Sequence, residues 1–311
     1  MSDSPVTKRR KLDRRAIALQ RWNILREILL SGRSLLATSE YAASVRRFKS
    51  FGLLKTYAES NKKDEEWFIY TAPKWPDFLM NIRHLNFHVK PDALLGFNNT
   101  GNVCVWPSEE ILTYYCLCYK NIFSGKSVIE LGGGMTCLAG VALCVTTDVS
   151  YVELTDGNED SVTNLKSIIK RNSDCIGETK LSSRMLRWGC GELDKNLEEK
   201  FDFVLCADCL FFEEGREDLV TMVHDLLKPG GKSLMFAPSR GDTFDIFVKL
   251  CKSLFDVKVK ENYDEDVWTI HSKMKEKGLE HYDENIHYPL FLELTKSSQL
   301  TEISNGHSNS T

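Results

Sequence analysis

The sequence predicts an α/β protein in which a mostly parallel sheet is covered by helices on both faces, preceded by a small α+β subdomain. Two observations carry the prediction. After Gly96, short apolar runs alternate with helix-length segments, and the first of those runs ends in three consecutive glycines that open a helix. Before that point the texture is mixed, with helical spacing followed by aromatic and β-branched runs. A β-α-β rhythm calls for strands buried on both faces.

Residues 1–15 combine a polar opening with Lys8, Arg9, Arg10, Lys11, Arg14 and Arg15. The run reads as a disordered solvated arm or as a nuclear-import or anion-binding patch. From 16 to 30, Ile17, Trp22, Leu25, Ile28 and Leu29 recur at helical spacing, and a second amphipathic stretch spans 41–51 before Gly52. Residues 67–70 and 85–89 read as strands around a loop holding Pro73 and Pro76. These segments, 16–95, form the expected subdomain.

The main domain is expected over 96–296. Its strand candidates are 127–131, 151–155, 182–187, 203–207, 233–237, 257–259 and 289–294. Helices are expected at 136–145, 160–171, 217–227 and 243–254, and after Val105-Trp106-Pro107-Ser108. Lys228-Pro-Gly-Gly supplies a turn before the fifth run. The tail, 297–311, has little to bury and reads as disordered.

With 311 residues, 40 Lys+Arg against 44 Asp+Glu and 42% apolar content, the chain is an ordinary globular one. Its longest apolar run, LAGVALCV at 138–145, is far short of the roughly 18 residues a membrane span needs. The start is basic and polar where a secretory signal would be apolar, so a cytoplasmic location is expected, with the Lys8–Lys11 run admitting nuclear entry. Ten cysteines scattered singly read as free thiols. The net charge of −4 hides an asymmetry: residues 1–50 carry 12 Lys/Arg and 4 Asp/Glu. A basic start on an acidic body argues against a duplex-binding footprint and suits an acidic protein partner.

The informative segment is 128–136, VIELGGGMT, a strand entering a glycine turn that opens a helix. Glycines admit a ligand close to the backbone, and the helix N-terminus behind them presents free N–H groups. A dinucleotide fingerprint needs glycine at 137, where the chain has Cys137, so nicotinamide or flavin binding is disfavoured. Glu130 stands inside the strand, Asp156 ends the second run, Trp188 the third, and Ala207-Asp208 the fourth.

This combination resembles the seven-strand, S-adenosylmethionine-dependent protein-lysine methyltransferases that carry a D-x-x-Y motif after the fourth strand. The segments ELGGGMTCLAGVALC, VELTDGNEDSV and ADCLFFEEG are most similar to the members that act on calmodulin. The resemblance implies a Rossmann-like methyltransferase sheet, S-adenosylmethionine as cofactor and calmodulin as an acidic partner. It implies cofactor contacts at Trp106, Glu130, Gly132, Gly133, Gly134, Asp156, Trp188 and Ala207, and catalytic roles for Asp208 and Phe211. Each residue also has a plainer reading: a tight turn for the glycines, a helix N-cap for Asp156, core packing for Trp106 and Trp188.

Two positions depart from the family pattern. Thr136 stands where a glycine is common, and the motif reads Asp208-Cys-Leu-Phe211, with Phe for Tyr. A phenyl face still attracts an ammonium, but the phenolic hydroxyl is gone. That loss keeps a silent cofactor-binding module open as an alternative, beside methylation of another protein lysine or a histidine. Cys206-Ala-Asp-Cys209 has no second pair at zinc spacing, so no metal site is expected, and a monomer is expected.

Overall fold

A computed structural model of the chain describes residues 50–59, 66–85, 104–279 and 281–297. It begins with a three-stranded antiparallel sheet of β1 (Lys55–Ala58), β2 (Glu66–Ala72) and β3 (Trp75–His84), in that order. The expected strand at 67–70 is the middle of β2. The loop expected around Pro73 and Pro76 is a correction: only Pro73-Lys74 turn, and β3 includes Pro76. Proline is tolerated there because β3 is an edge strand whose outer N–H groups need no partner. Of the strand expected at 85–89, residue 85 follows the end of β3 and 86–89 lie outside the described residues. The arm at 1–15, the helix at 16–30, most of that at 41–51, the boundary near 95 and nearly all of the tail also lie outside them.

The larger unit alternates helices and strands: α1 (Pro107–Cys118), β4 (Ser127–Leu131), α2 (Leu138–Thr146), β5 (Tyr151–Asp156), α3 (Glu159–Arg171), β6 (Lys180–Met185), β7 (Phe201–Ala207), α4 (Arg216–Leu226), β8 (Leu227–Pro238), α5 (Thr243–Cys251), β9 (Phe255–Lys260), α6 (Glu265–Glu276), a single turn α7 (Glu284–His287) and β10 (Pro289–Lys296). The seven strands run in the order β6-β5-β4-β7-β8-β10-β9. β10 pairs antiparallel with β8 and β9, and the other pairings are parallel.

Alternation along the central strands divides the core between the two faces. Val128, Phe203 and Leu205 join one apolar cluster with α1 to α3 and the small sheet, while Ile129, Leu131, Val204 and Cys206 join another with α4 and α5. Phe51, Leu53, Met80 and Ile82 belong to the first cluster, so the small sheet shares its core with the large one. The turn expected at Lys228–Gly231 is instead an irregularity inside β8, where the register against β7 slips between Phe201 and Phe203. All ten cysteines are free. Among the described residues no helix is long and apolar enough to cross a membrane, and no group of three or more His, Cys, Asp or Glu is placed to hold a metal ion.

Candidate active site

β4 lies between β5 on one side and β7 on the other, so the chain reverses direction across the sheet at β4. Such a switch point opens a crevice at the carboxyl ends of the strands. Leu131 pairs there with Cys206, and Asp156 with Met185, which brings the ends of β4, β5, β6 and β7 side by side. The opposite edge of the sheet has an open cavity of about 990 Å³, lined by Lys120, Thr146, Asp148 and Glu178 among others, and none of the expected site residues.

The glycine loop after β4 bends through two left-handed residues, Gly132 at φ +59° and Gly134 at φ +62°. A Cβ on Gly132 would stand 2.9 Å from Cys209 Sγ and 3.1 Å from the Trp188 ring, so only glycine permits this approach. Gly133 N–H donates to Thr155 O at 3.1 Å. Gly134 N–H donates to Asp156 Oδ2 at 2.9 Å, and Asn158 N–H to Asp156 Oδ1 at 2.9 Å. Burial raises the Asp156 carboxyl above its ordinary value, and these N–H donors oppose the rise. The helix N-cap reading of Asp156 does not hold, because α3 is capped by Asn158, whose side chain accepts from Asp160 N–H and Ser161 N–H. Trp188 is half-buried against the edge of a core cluster, and Trp106, half-buried, is the residue immediately before α1.

Two buried carboxylates brace the segment after the loop, and a third anchors α1. Glu130 is fully buried, and its Oε2 accepts from Gly140 N–H in α2 at 2.6 Å. Its part in the site is thus indirect. Burial lifts Glu130 to about 8, with the nearby Glu109 charge adding to the rise. Glu109, in the first turn of α1, accepts from the Thr136 hydroxyl and from Leu138 N–H, and burial lifts it to about 7. The hydroxyl of Thr136, at the position where the family pattern has glycine, is therefore occupied. The neighbouring Glu110 accepts from Phe51 N–H at 2.7 Å and Leu53 N–H at 2.8 Å, tying α1 to the segment that leads into the small sheet.

Across the crevice, Ala207 ends β7 half-buried and Asp208 follows at φ +56°, its N–H donating to Phe236 O at 2.8 Å. Arg240, in the turn after β8, places Nη2 2.6 Å from Asp208 Oδ2. The Arg240 guanidinium carbon is 5.5 Å from the Phe211 ring centroid and 6.0 Å from that of Trp106. Asp208, Phe211 and Trp106 are thereby brought around one cation. A carboxylate flanked by two ring faces is a seat for a positively charged group.

Arg240 and Glu109 were not legible as site residues from spacing. The signal was position: Ser239-Arg240-Gly241 follows the fifth strand at the same edge as the other site residues, and Glu109 lies three residues after Trp106. Asn285, which holds the Arg240 turn, gives no sequence signal.

The close-approach glycine at 132, the buried Asp156 at the next strand end and the Trp188 ring beside the loop fit a nucleoside-bearing cofactor with a carboxylate. Comparison with known proteins agrees. A family model described as "Lysine methyltransferase" matches residues 95–254. Calmodulin-lysine N-methyltransferase of Arabidopsis thaliana is 35% identical over 293 residues, covering 88% of this chain and 95% of that protein. Among solved structures, a methyltransferase from Pyrococcus furiosus is similar with a TM-score of 0.42 at 16% identity, covering 60% of this chain and 83% of that one. P. horikoshii TYW2, solved in complex with MeSAdo, is similar with a TM-score of 0.46 at 10% identity, covering 76% and 73%. Both structural likenesses are loose. The chain belongs to the lysine methyltransferase family and takes its methyl group from S-adenosylmethionine.

Proposed function

We propose that the protein methylates the ε-amine of a lysine in calmodulin. The observation that carries the substrate is the 35% identity, over nearly the full length of both chains, with a calmodulin-lysine N-methyltransferase. Charge supports it, since the excess of Lys and Arg in residues 1–50 attracts an acidic protein.

In this reading the methionine portion of the cofactor lies against the backbone of the Gly132-Gly133-Gly134 loop, where the absence of side chains permits a close approach. Asp156 keeps lone pairs for the ribose hydroxyls, because a carboxylate offers about four acceptor sites. Trp188 stacks on the base, the backbone at Ala207 lines the pocket, and Trp106 walls it on the acceptor side. Glu130 holds β4 to α2 behind the loop. Bound there, the sulfonium supplies the methyl group.

Lysine ionises near 10.4 in water, so it arrives as the ammonium and releases a proton to water before attacking as the neutral amine. Asp208 accepts a hydrogen bond from it and fixes its direction, while the Phe211 and Trp106 ring faces accommodate it and its methylated forms. Holding nitrogen, methyl and sulfur in line is the largest contribution available to such a site, up to roughly 7–11 kcal/mol.

The test is the intact mass of unmethylated calmodulin after incubation with the protein and S-adenosylmethionine. A ladder of methyl additions on one lysine, absent with Asp208→Ala and Asp156→Ala, is expected. An unchanged mass, with cofactor binding demonstrated separately, overturns calmodulin as the substrate.

A further inference from the structure

The seat assigned above to the substrate amine is already filled by a side chain of the protein itself. Arg240 meets Asp208 Oδ2 at 2.6 Å and stands against the rings of Phe211 and Trp106. These are the groups an incoming lysine needs. Guanidinium and ammonium compete for the same carboxylate and the same ring faces, so one has to leave for the other to settle.

The structure separates what is fixed in Arg240 from what is free to move. Its backbone is clamped: Arg240 N–H donates to Asn285 O at 2.8 Å, Gly241 N–H to Asn285 Oδ1 at 2.8 Å, and the Ser239 hydroxyl to the same oxygen at 2.9 Å. Its side chain is held by less. Among the described residues it makes one ion pair, with Asp208, and it keeps 25% of its side-chain surface exposed. Arg216 shows the contrast, being 8% exposed with its Nε committed to Leu210 O at 2.9 Å. Arg240 can thus swing out toward solvent without disturbing the turn that carries it.

Asp208 constrains what can replace it. Its side chain is only 9% exposed, and a shielded carboxylate left without a cation is costly. A cation therefore has to succeed a cation. The expelled guanidinium in turn sits at the mouth beside the newcomer, where two like charges repel unless an anion comes between them.

We propose, resting on the lysine methyltransferase reading, that Arg240 is a displaceable stand-in for the acceptor amine that selects lysines flanked by carboxylates. As the lysine takes Asp208, a carboxylate beside it in the substrate takes the guanidinium, so one ion pair becomes two. A lysine among neutral residues gains Asp208 only by leaving Arg240 unpaired next to it. Specificity then comes from the exchange, with no dedicated cleft for the flanking sequence.

The test is binding, not turnover. Acetyl-Glu-Lys-Glu-amide and acetyl-Gln-Lys-Gln-amide are titrated into the full chain saturated with S-adenosylhomocysteine, and tryptophan fluorescence is followed. The wild-type protein is expected to bind the acidic peptide about tenfold more tightly. In Arg240→Ala, and in Arg240→Gly, which suits the φ of +42° at this position, the preference is expected to fall within about twofold, with tighter binding of the neutral peptide than in wild type. Preference retained in both variants, no gain for the neutral peptide, or no binding of either peptide overturns the proposal. Peptide discrimination without calmodulin methylation would remove the proposed substrate and leave the Arg240 exchange standing; calmodulin methylation without discrimination would do the reverse.

Discussion

Glu130 Oε2 lies 2.6 Å from Gly140 N, a contact that exists only because residue 140 has no side chain: a Cβ there would stand 2.9 Å from the same oxygen. The other oxygen of Glu130 has no hydrogen-bond partner among the described residues. A carboxyl in this position is more comfortable protonated, in keeping with its rise to about 8.

Stability should respond to pH accordingly. The unfolded glutamate ionises near 4.5, so between that pH and about 8 the folded chain holds a proton that the unfolded chain has released. The stability from this group is complete below about 4.5 and is lost as pH rises toward 8. Glu130→Gln keeps the uncharged form at every pH. It is expected to melt about 3–6 °C above wild type at pH 8.5 and level with it at about pH 4. Parallel melting curves at both pH values would refute the assignment.

Gly132→Ala is expected to weaken S-adenosylhomocysteine binding by tenfold or more on the order of 1–2 kcal/mol of left-handed strain plus the clash with Cys209 and Trp188. Gly125→Ala is the control, since φ is +66° there but nothing lies within 4 Å of the new Cβ. Calorimetric titration of both variants separates backbone strain from closure of the cofactor pocket, because the control should lose stability and keep affinity.

Asp208→Asn retains a residue type that tolerates positive φ while removing the negative charge. Turnover is expected to drop on the order of 100-fold, the cost of a misdirected amine. Cofactor affinity should be unchanged, since the carboxylate points to Arg240 and the acceptor side. Equal loss of cofactor binding in an equilibrium titration would return Asp208 to a structural role.

Attraction between a basic segment and an acidic substrate is screened over about 10 Å at 0.1 M salt. The Michaelis constant for calmodulin is expected to rise several-fold between 50 and 300 mM salt. Neutralising Lys8, Arg9, Arg10 and Lys11 should flatten that dependence. A constant value across the salt series would remove the steering role.

The central part of the parallel sheet was legible because its strands are buried on both faces: β4 is buried at all five positions, which leaves a largely apolar run. α6 escaped notice because only Val267 and His271 are buried along it, although Asp264 caps it by accepting from Asp266 N–H and Val267 N–H. β1 is exposed at every position and exists through its pairing with β2. The glycine loop and the strand-end residues could be picked out, since their signal is local to one turn. The contacts of Arg240, Asn285 and Glu109 could not, because their partners stand 27 to 46 positions away in the chain.

The strand made last is not the strand at the edge. β10 enters between β8 and β9, and Asn285, just before it, holds the turn that presents Arg240. A nascent chain leaving the ribosome therefore has its glycine loop and Asp156 in hand long before β8 acquires its antiparallel neighbour. Until residues 289–296 arrive, β9 has no strand to pair with and the Arg240 turn has no clamp. On the roles proposed for these residues, synthesis delivers those assigned to the methyl donor first and those assigned to its recipient last.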